Sequence, residues 1–190
     1  MDEAAQLRDW AVRIRDGDER ALELLHHAFH DRLAGYARSI VADDAAAEDA
    51  VQETFIKLWQ TRADIDDSRS IKAYLYTMVR NNALNTERAR RVKERTHEEL
   101  AASSDASAVQ MMDLDARTLG ALMDQWIDQL PERQREALRL SRLDGLSHAE
   151  VGAIMNVSQR TVNNHIVRAL KFLRDEIRKY DESLLSRYSF

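Results

Sequence analysis

The scarcity of chain-breaking residues is the feature that most restricts how this chain can fold. The 190 residues include five glycines and one proline, and 44% of the residues are hydrophobic. A many-stranded sheet needs tight turns, for which glycine and proline are the usual residues. The apolar residues recur with a clear helical period, which indicates a folded chain rather than a disordered one. We therefore predict an all-α fold built from long helices.

Several classes of protein are excluded by composition. The chain has no cysteine, so it has no disulfide bonds, thiolate metal sites or thiol chemistry. No uninterrupted apolar stretch approaches the roughly 18 residues that a membrane span requires. The N-terminus, Met1-Asp2-Glu3, lacks the basic-then-apolar order of a signal peptide. We expect a cytoplasmic protein with no membrane insertion.

The formal net charge of −5 is unevenly distributed. Residues 69–95 include eight basic and two acidic residues, and residues 158–179 include six basic and two acidic residues. Residues 96–125, in contrast, include one basic and six acidic residues. The two basic segments are candidates for contact with nucleic acid, although a solvated helix face is the ordinary explanation of such a charge run.

The N-terminal half is predicted to form a bundle of three helices, because its apolar residues recur every three or four positions. The predicted helices run from about Glu19 to Val41, from a cap at Asp43 or Asp44 to about Gln60, and from a cap at Ser68 or Ser70 to Val92. Their inner faces include Leu22, Leu25, Phe29, Leu33, Tyr36, Val51, Phe55, Leu58 and Trp59. We assign residues 1–95 to this domain, and residues 96–110, which are small and polar, to a flexible acidic linker.

The second domain, residues 111–179, is predicted to contain a helix-turn-helix. Pro131 suits the first turn of a helix that ends at Asp144-Gly145. Ser147 and Glu150 form a capping box that opens a short helix to Met155. The remaining signals are a left-handed turn at Asn156, a cap at Ser158 and a long helix to about Lys179. Residues 180–190 form a C-terminal tail.

The last helix has two dissimilar faces. Its apolar face consists of Val162, Ile166, Ala169 and Leu173, and its opposite face presents Arg160, Asn164, Val167, Arg168 and Lys171, flanked by Asn163 and His165. Arginine can bind guanine, and asparagine can bind adenine, through two hydrogen bonds each. The pattern fits a helix in the major groove of DNA. An ordinary solvated face is the alternative.

The third helix of the first domain combines Tyr74 and Tyr76 with Asn81, Asn82 and Asn85, and it ends in a run of arginines. Aromatic rings stack on unpaired bases, and cationic side chains follow phosphates, so this combination suits single-stranded or opening DNA. The two tyrosines point in nearly opposite directions, so at most one lies on a given face, and the other is expected to belong to the core. In the alternative interpretation both tyrosines belong to the core and the asparagines merely weaken the helix.

Four sequence blocks, taken in order, resemble those of bacterial sigma factors of the sigma-70 family. The blocks are Asp49–Trp59, Ala73–Asn81, Leu130–Ala137, and Asp144–Met155 followed by Thr161-Val162. The resemblance covers roughly residues 10–178 and is to the short, two-domain extracytoplasmic-function (ECF) group. It implies a factor without enzymatic activity that binds core RNA polymerase, recognises the minus-ten and minus-thirty-five promoter elements and aids promoter opening. By this resemblance, residues 1–95 are sigma domain 2 and residues 111–179 are sigma domain 4.

The resemblance also implies roles for individual residues. It implies that the polymerase β′ clamp is contacted by Asp49, Gln52 and Glu53. It implies that the minus-ten element is contacted by Tyr74, Arg80, Asn81, Asn85 and Arg88. Contacts to the minus-thirty-five element fall to Ser158, Arg160, Asn163, Asn164, Val167, Arg168 and Lys171. The polymerase β flap, promoter DNA and an anti-sigma factor are further implied partners. Three departures from the family pattern are Tyr74 in place of the usual tryptophan, Asn156 in place of a common glycine, and the segment Asn163-Asn164-His165.

Two other function classes would account for parts of the sequence. Glu23 and His26 have the Glu-x-x-His spacing of di-metal carboxylate bundles, but such a site needs a second Glu-x-x-His and the sequence has none. Phosphate-binding glycine-rich loops and nucleophile elbows are also missing, so we expect no catalytic site, metal or cofactor. A stand-alone helix-turn-helix regulator would account for residues 126–179 but leaves the Asp49–Trp59 block unexplained.

Overall fold

A computed structural model describes residues 3–41, 43–98 and 119–188, and the side chains of 3–41, 43–92 and 120–180. The described residues form eight α-helices and no strand, which confirms the predicted all-α class. The helices are α1 (Glu3–Arg15), α2 (Glu19–Arg38), α3 (Asp44–Gln60), α4 (Ile71–Glu98), α5 (Leu119–Asp128), α6 (Glu132–Leu138), α7 (His148–Met155) and α8 (Gln159–Tyr188). The chain divides into two compact units, Met1–Ala102 and Ser103–Phe190.

The first unit is a bundle in which α2 packs on α1 and α3, and α3 packs on α4. Its buried side chains include Leu25, Phe29, Leu33, Tyr36, Val51, Phe55, Leu58, Leu75, Tyr76 and Val79. Asp43 is the N-cap of α3, where its carboxylate accepts the backbone N–H of Ala46 at 2.8 Å. Ser70 precedes α4, and its hydroxyl accepts the N–H of Ala73 at 3.2 Å. Side-chain caps of this kind satisfy amide groups that the helix itself leaves unpaired.

Helix α1 is absent from the sequence-based prediction. It buries only Ala11 and Ile14, so its apolar stripe is too narrow to reveal the helix by periodicity alone. Its packing against α2 and α4 provides the stabilising contacts that the narrow apolar stripe does not reveal. A bridge of 3.2 Å between Arg15 and Asp67 also ties the end of α1 to the segment before α4.

Two residues predicted to face the core of the first unit are only partly buried. Leu22, near the start of α2, and Trp59, near the end of α3, both keep part of their surface exposed. The guanidinium of Arg62 covers the indole of Trp59 at 4.4 Å from the ring centroid, an arrangement that shields the ring and adds a cation–π attraction.

The second unit is organised by α8, which packs against α5, α6 and α7. One core cluster consists of Leu122, Trp126, Leu130, Leu138, Ala169 and Leu173. The predicted helix-turn-helix is present as α7, a turn at Asn156 and α8. Asn156 adopts the left-handed conformation (φ 54°, ψ 50°), and Ser147 with Glu150 forms both halves of a capping box. Gly145 has a positive φ of 66°, as expected of a glycine that ends a helix.

Helix α6 differs from the prediction at both ends. Pro131 is the N-cap rather than a residue of the first turn, and α6 ends at Leu138 instead of continuing regularly to Leu143. Residues Arg139–Leu143 form a π-helical turn. The wider turn leaves Leu140 fully buried and Leu143 65% exposed, a local change of pitch for which the sequence contains no recognised signal.

Two helices extend further than predicted. Helix α4 continues past Val92 to Glu98, so the first residues of the expected linker 96–110 are helical, and the rest of that segment lies outside the described residues. Helix α8 continues past Lys179 to Tyr188, so most of the expected tail 180–190 is helix. The Tyr180 ring meets Trp126 edge-on, with ring centroids 6.1 Å apart.

Gly152 provides a test of the tight turn between α7 and α8. A Cβ atom at this position would lie 2.8 Å from the carbonyl oxygen of Val157 and 3.4 Å from the backbone nitrogen of Gln159. Because these are backbone atoms, Gly152→Ala should lower the free energy of unfolding of the second unit by about 1–3 kcal/mol in urea denaturation.

Gly35→Ala is the matched control, since nothing lies within 4 Å of a Cβ atom placed at Gly35 in α2. This variant should leave stability unchanged or raise it by up to about 1 kcal/mol. Wild-type stability for the Gly152→Ala protein would contradict the close backbone contact.

Candidate polymerase-binding and nucleic-acid surfaces

Helix α3 presents a polar stripe on the side opposite its core residues. Asp49, Gln52 and Glu53 are all exposed and share a face at helical positions i, i+3 and i+4. Within the described part of the chain neither carboxylate has an ion-pair partner, so both are available to a basic partner. We call Asp49, Gln52, Glu53 and Ile56 the α3 stripe.

Ile56 is the member of the α3 stripe that sequence reasoning missed. It follows at i+7 from Asp49 and is 58% exposed. An isoleucine on the outer face of an amphipathic helix is a signal that could have identified it. The stripe therefore offers two carboxylates, an amide and an apolar side chain, a mixture typical of protein–protein contact.

Helix α4 brings four of the five predicted minus-ten residues onto one exposed stripe. Tyr74, Asn81, Asn85 and Arg88 are separated by seven, four and three residues, so they share a face, and all four are exposed. The Tyr74 side chain is 43% exposed, whereas Tyr76 is fully buried and its ring lies 5.3 Å from that of Tyr36. The expected division between the two tyrosines, one outside and one in the core, is thus confirmed. We call the four exposed residues the α4 stripe.

Arg80 does not belong to the α4 stripe. It is only 9% exposed and lies on the buried side of α4, so the structure does not bring it onto the exposed face with the other four predicted minus-ten residues. Neighbouring positions on a helix are rotated by about 100° from each other. Because Arg80 is next to Asn81 in the sequence, it lies on a different side of the helix.

Asn82 is likewise not part of an exposed asparagine cluster. Its Nδ2 atom donates to Thr54 Oγ1 at 3.2 Å and approaches the carbonyl oxygen of Ala50 at 3.4 Å. Its side chain therefore connects α4 to α3 instead of facing solvent.

The basic run at the end of α4 is partly neutralised by Glu87. Both carboxylate oxygens of Glu87 are engaged: Oε1 accepts from Arg91 Nε at 2.7 Å and from Arg90 Nη2 at 2.8 Å, and Oε2 accepts from Arg90 Nε at 2.8 Å. These hydrogen bonds, first from Arg90 and then from Arg91, lower the pKa of Glu87 to about 2. The carboxylate thus stays charged and fixes the orientation of two arginines.

Helix α8 presents the predicted minus-thirty-five residues on one continuous stripe. The exposed residues of this α8 stripe are Arg160, Asn163, Asn164, Val167, Arg168 and Lys171, at helical positions i, i+3, i+4, i+7, i+8 and i+11. Val162, Ile166, Ala169 and Leu173 are buried on the opposite side, as predicted. The cationic side chains of the stripe have no partner among the described residues, so they are available for a ligand.

Ser158 has a different local role. Its hydroxyl accepts the backbone N–H of Thr161 at 3.1 Å and lies 2.8 Å from the Thr161 hydroxyl. It is exposed at the start of α8, where it caps the helix as predicted. The hydroxyl can still form one further hydrogen bond, which a ligand could use.

The histidines of α2 make structural contacts. The His26 ring meets Phe55 edge-on with centroids 4.7 Å apart, and His30 Nε2 lies 3.0 Å from a carboxylate oxygen of Glu48. Burial, and secondarily the neighbouring His30 and His27, lower the pKa of His26. In the described ranges no group of three or more potential ligand side chains could hold a metal ion. No helix in the same ranges has the length and apolar character needed to cross a bilayer.

The Glu87 cluster predicts a specific pH dependence. The pKa of Glu87 in the folded chain, about 2, lies below its ordinary value of 4.5, so its contribution to stability is fully present above about pH 4.5 and is lost as the pH falls toward 2. Because Arg90 and Arg91 are largely solvated, we expect Glu87→Gln to cost about 1 kcal/mol at neutral pH. The difference from wild type should shrink on acidification in urea titrations at pH 6 and pH 3. A difference that is independent of pH would contradict the assignment.

Comparison with known proteins finds two family models that match separate parts of the chain. The family model described as Sigma-70 region 2 matches residues 25–93, and the one described as Sigma-70, region 4 matches residues 121–173. The first match includes the α3 and α4 stripes, and the second includes the α8 stripe. A stand-alone helix-turn-helix regulator does not account for the first match, so that alternative is set aside.

Relatives resemble the chain over most of its length. It is 30% identical over 166 residues to the RNA polymerase sigma-H factor of Pseudomonas aeruginosa, covering 83% of this chain and 86% of that protein. It is 28% identical over 185 residues to the ECF RNA polymerase sigma-E factor of Haemophilus influenzae, covering 92% and 97%. Its fold is similar to that of the sigma factor RpoE of Bartonella quintana, solved in complex with the anti-sigma factor NepR, with a TM-score of 0.63, 24% identity and coverage of 82% and 96%. The chain therefore belongs to the extracytoplasmic-function group of the sigma-70 family.

Proposed function

We propose that this sigma factor binds core RNA polymerase through the α3 stripe and directs it to promoters through the α4 and α8 stripes. The observation that carries the proposal is the segregation of the three stripes. Each one lies on the exposed side of a helix whose other side is buried in a core. Each is therefore held in place by the fold and open to a macromolecular partner at the same time.

The α3 stripe suits the polymerase β′ clamp, which the family uses as its docking site. Asp49 and Glu53 carry negative charge on a rigid helix, and complementary charges speed association and fix the orientation of two partners. Ile56 adds an apolar contact, exposed at 58%, that would be covered on binding. We assign the primary polymerase contact to Asp49, Gln52 and Glu53, with Ile56 beside them. The β flap is the corresponding partner of the second unit.

The α4 stripe suits recognition of the minus-ten element during opening. The half-exposed Tyr74 ring can stack on an unpaired base, and Asn81 and Asn85 can hydrogen-bond base edges. Arg88, whose Nη1 lies 3.3 Å from Asn85 Oδ1, adds a cation for a phosphate. Because stacking needs an unpaired base, this stripe favours the opened strand over intact duplex. Arg80, which is buried, has no part in this proposal.

The α8 stripe suits duplex DNA at the minus-thirty-five element. A helix fits the major groove, and arginine and asparagine side chains have donor patterns that match guanine and adenine. Val167, 57% exposed, can contact a thymine methyl group. Lys171 lies at the C-terminal end of the stripe and Ser158 lies just before its N-terminal end, and we assign both to phosphate contacts.

The proposed domains follow from these surfaces. Residues 1–95, with α4 continuing to Glu98, act as sigma domain 2, and residues 111–179 act as sigma domain 4. The acidic segment between them connects two weak DNA readers. Once both are held on polymerase, each raises the effective concentration of the other at the promoter. The factor itself performs no covalent step and uses no cofactor.

An anti-sigma factor is a further proposed partner, and the cytoplasm is the proposed location because polymerase and promoters are there. The Bartonella quintana neighbour was solved with an anti-sigma factor bound, which supports the proposal by similarity of fold. The α3 stripe exposes both charged and apolar side chains. An anti-sigma factor that covered them would keep the protein from binding polymerase until the anti-sigma factor dissociated.

Glu53→Arg tests the polymerase contact. The substitution puts a cation on the exposed α3 stripe against a basic partner, so affinity for core polymerase should fall at least about 30-fold in a fluorescence binding titration. Asp31→Arg is the control, because it makes the same charge change on an exposed side chain of α2 outside the stripe. Equal affinities for the Glu53→Arg and wild-type proteins would refute the α3 docking surface.

Arg168→Ala tests base reading by α8. A base contact predicts a loss of about 1–3 kcal/mol concentrated at one upstream base pair, measured by transcription from a set of single-base promoter variants. Lys171→Ala, as a phosphate contact, should instead weaken all upstream sequences about equally and reduce the salt dependence. A uniform loss for Arg168→Ala would reassign that residue to the phosphates.

A further inference from the structure

A buried polar junction joins the helix of the polymerase-binding stripe to the helix of the minus-ten stripe. Thr54 of α3 is fully buried, and its hydroxyl donates to the carbonyl oxygen of Ala50 at 2.8 Å. The Nδ2 atom of Asn82 on α4 reaches the same hydroxyl at 3.2 Å and the same carbonyl at 3.4 Å. Three polar atoms from two helices thus meet between α3 and α4, beside buried apolar side chains such as Val51 and Val79.

The chemistry of this junction admits one orientation of the amide. The proton of the Thr54 hydroxyl is committed to Ala50, so the hydroxyl oxygen and the carbonyl oxygen both present acceptors to Asn82. Only the NH₂ side of the amide can satisfy them, whereas the reversed amide would place an oxygen against two oxygens. The hydrogen bonds therefore favour the orientation in which the Asn82 NH₂ group points at both oxygens.

The junction lies directly behind both proposed contact surfaces. Thr54 follows Glu53 in the chain, so one residue faces the core and the other faces solvent. Asn82 follows Asn81 on α4, where Asn81 is exposed and the half-buried side chain of Asn82 points to α3. A rotation or slide of α4 against α3 would break the hydrogen bonds of the junction and would displace Asn81 relative to Glu53 at the same time.

Apolar packing does not fix such a rotation sharply, because the hydrophobic effect is non-directional. Hydrogen bonds weaken steeply when their distance or angle departs from the optimum. We propose that Asn82 and Thr54 are positioning residues, whose hydrogen bond sets the rotation of α4 on α3 and so holds the minus-ten stripe in register with the polymerase-binding stripe. This inference rests on the proposed function of the two stripes.

Three variants of the full chain separate positioning from simple stability. Thr54→Val removes the hydroxyl at nearly constant shape, and Thr54→Ser keeps the hydroxyl and serves as the rescue. The double variant Thr54→Val with Asn82→Leu replaces both partners by apolar groups of similar shape, a change that can be nearly neutral for stability. The measurements are the urea unfolding midpoint, the affinity for core polymerase, and the rate of open-complex formation at saturating polymerase on a promoter selected with the wild-type protein.

If the junction positions α4, the double variant should keep the wild-type unfolding midpoint and polymerase affinity but open the promoter about two- to tenfold more slowly. Thr54→Val should be similarly slow, and Thr54→Ser should be close to wild type. Wild-type opening by the double variant, or losses that simply follow the unfolding midpoint, would overturn the inference alone. If the wild-type chain failed to support promoter-specific transcription with core polymerase, the proposed function and this inference would both be overturned.

Discussion

The structure depends on the way α4 divides its surface between a core and solvent. Leu75, Tyr76 and Val79 are buried against the rest of the first unit, while Tyr74 and Asn81 stand outside. A shift of one residue rotates the helix face by about 100°, so the packing that buries one set of side chains also decides which others can reach DNA. In our proposal, the hydrogen bond from Asn82 on α4 to Thr54 on α3 makes that choice definite.

Charge places a second constraint on the molecule. The chain has a net charge of −5, and part of the cationic run at the end of α4 is bound to Glu87 within the protein. A protein with this balance gains little non-specific, salt-driven attraction to DNA. The cations of the α8 stripe, which have no ion-pair partner among the described residues, are well suited to act after another surface has brought the protein to a promoter. The electrostatics therefore favour a DNA binder that depends on its polymerase partner.

Features that rest on local chemistry could be predicted from the sequence. The cap at Asp43, the capping box of Ser147 with Glu150 and the left-handed turn at Asn156 are all confirmed, because each involves residues within a few positions of one another. The wide apolar stripe of α8 is confirmed for the same reason. Among the contact surfaces, the α8 stripe followed from helical spacing, whereas the resemblance to sigma factors implied the polymerase contacts on α3 and the role of each residue on α4.

Features that depend on distant neighbours could not be predicted. Helix α1 has too few buried residues for its apolar pattern to predict it, and its packing against α2 and α4 defines it instead. Arg80 and Asn82 have sequence contexts like that of Asn81, yet one is buried and the other bonds to Thr54 on α3. The π-helical turn Arg139–Leu143 after α6 buries Leu140 and exposes Leu143. In each case the deciding contact is made by residues far away in the chain or by the packing of whole helices.

Transcription in vitro with core polymerase on a library of promoters with randomised upstream and downstream elements tests the account most directly. With the protein present, initiation should become dependent on two short elements separated by a fixed spacing, and core polymerase alone should not select them. Equal initiation with and without the protein, or selection of a single upstream element only, would contradict the conclusion that both DNA-facing stripes act together on polymerase.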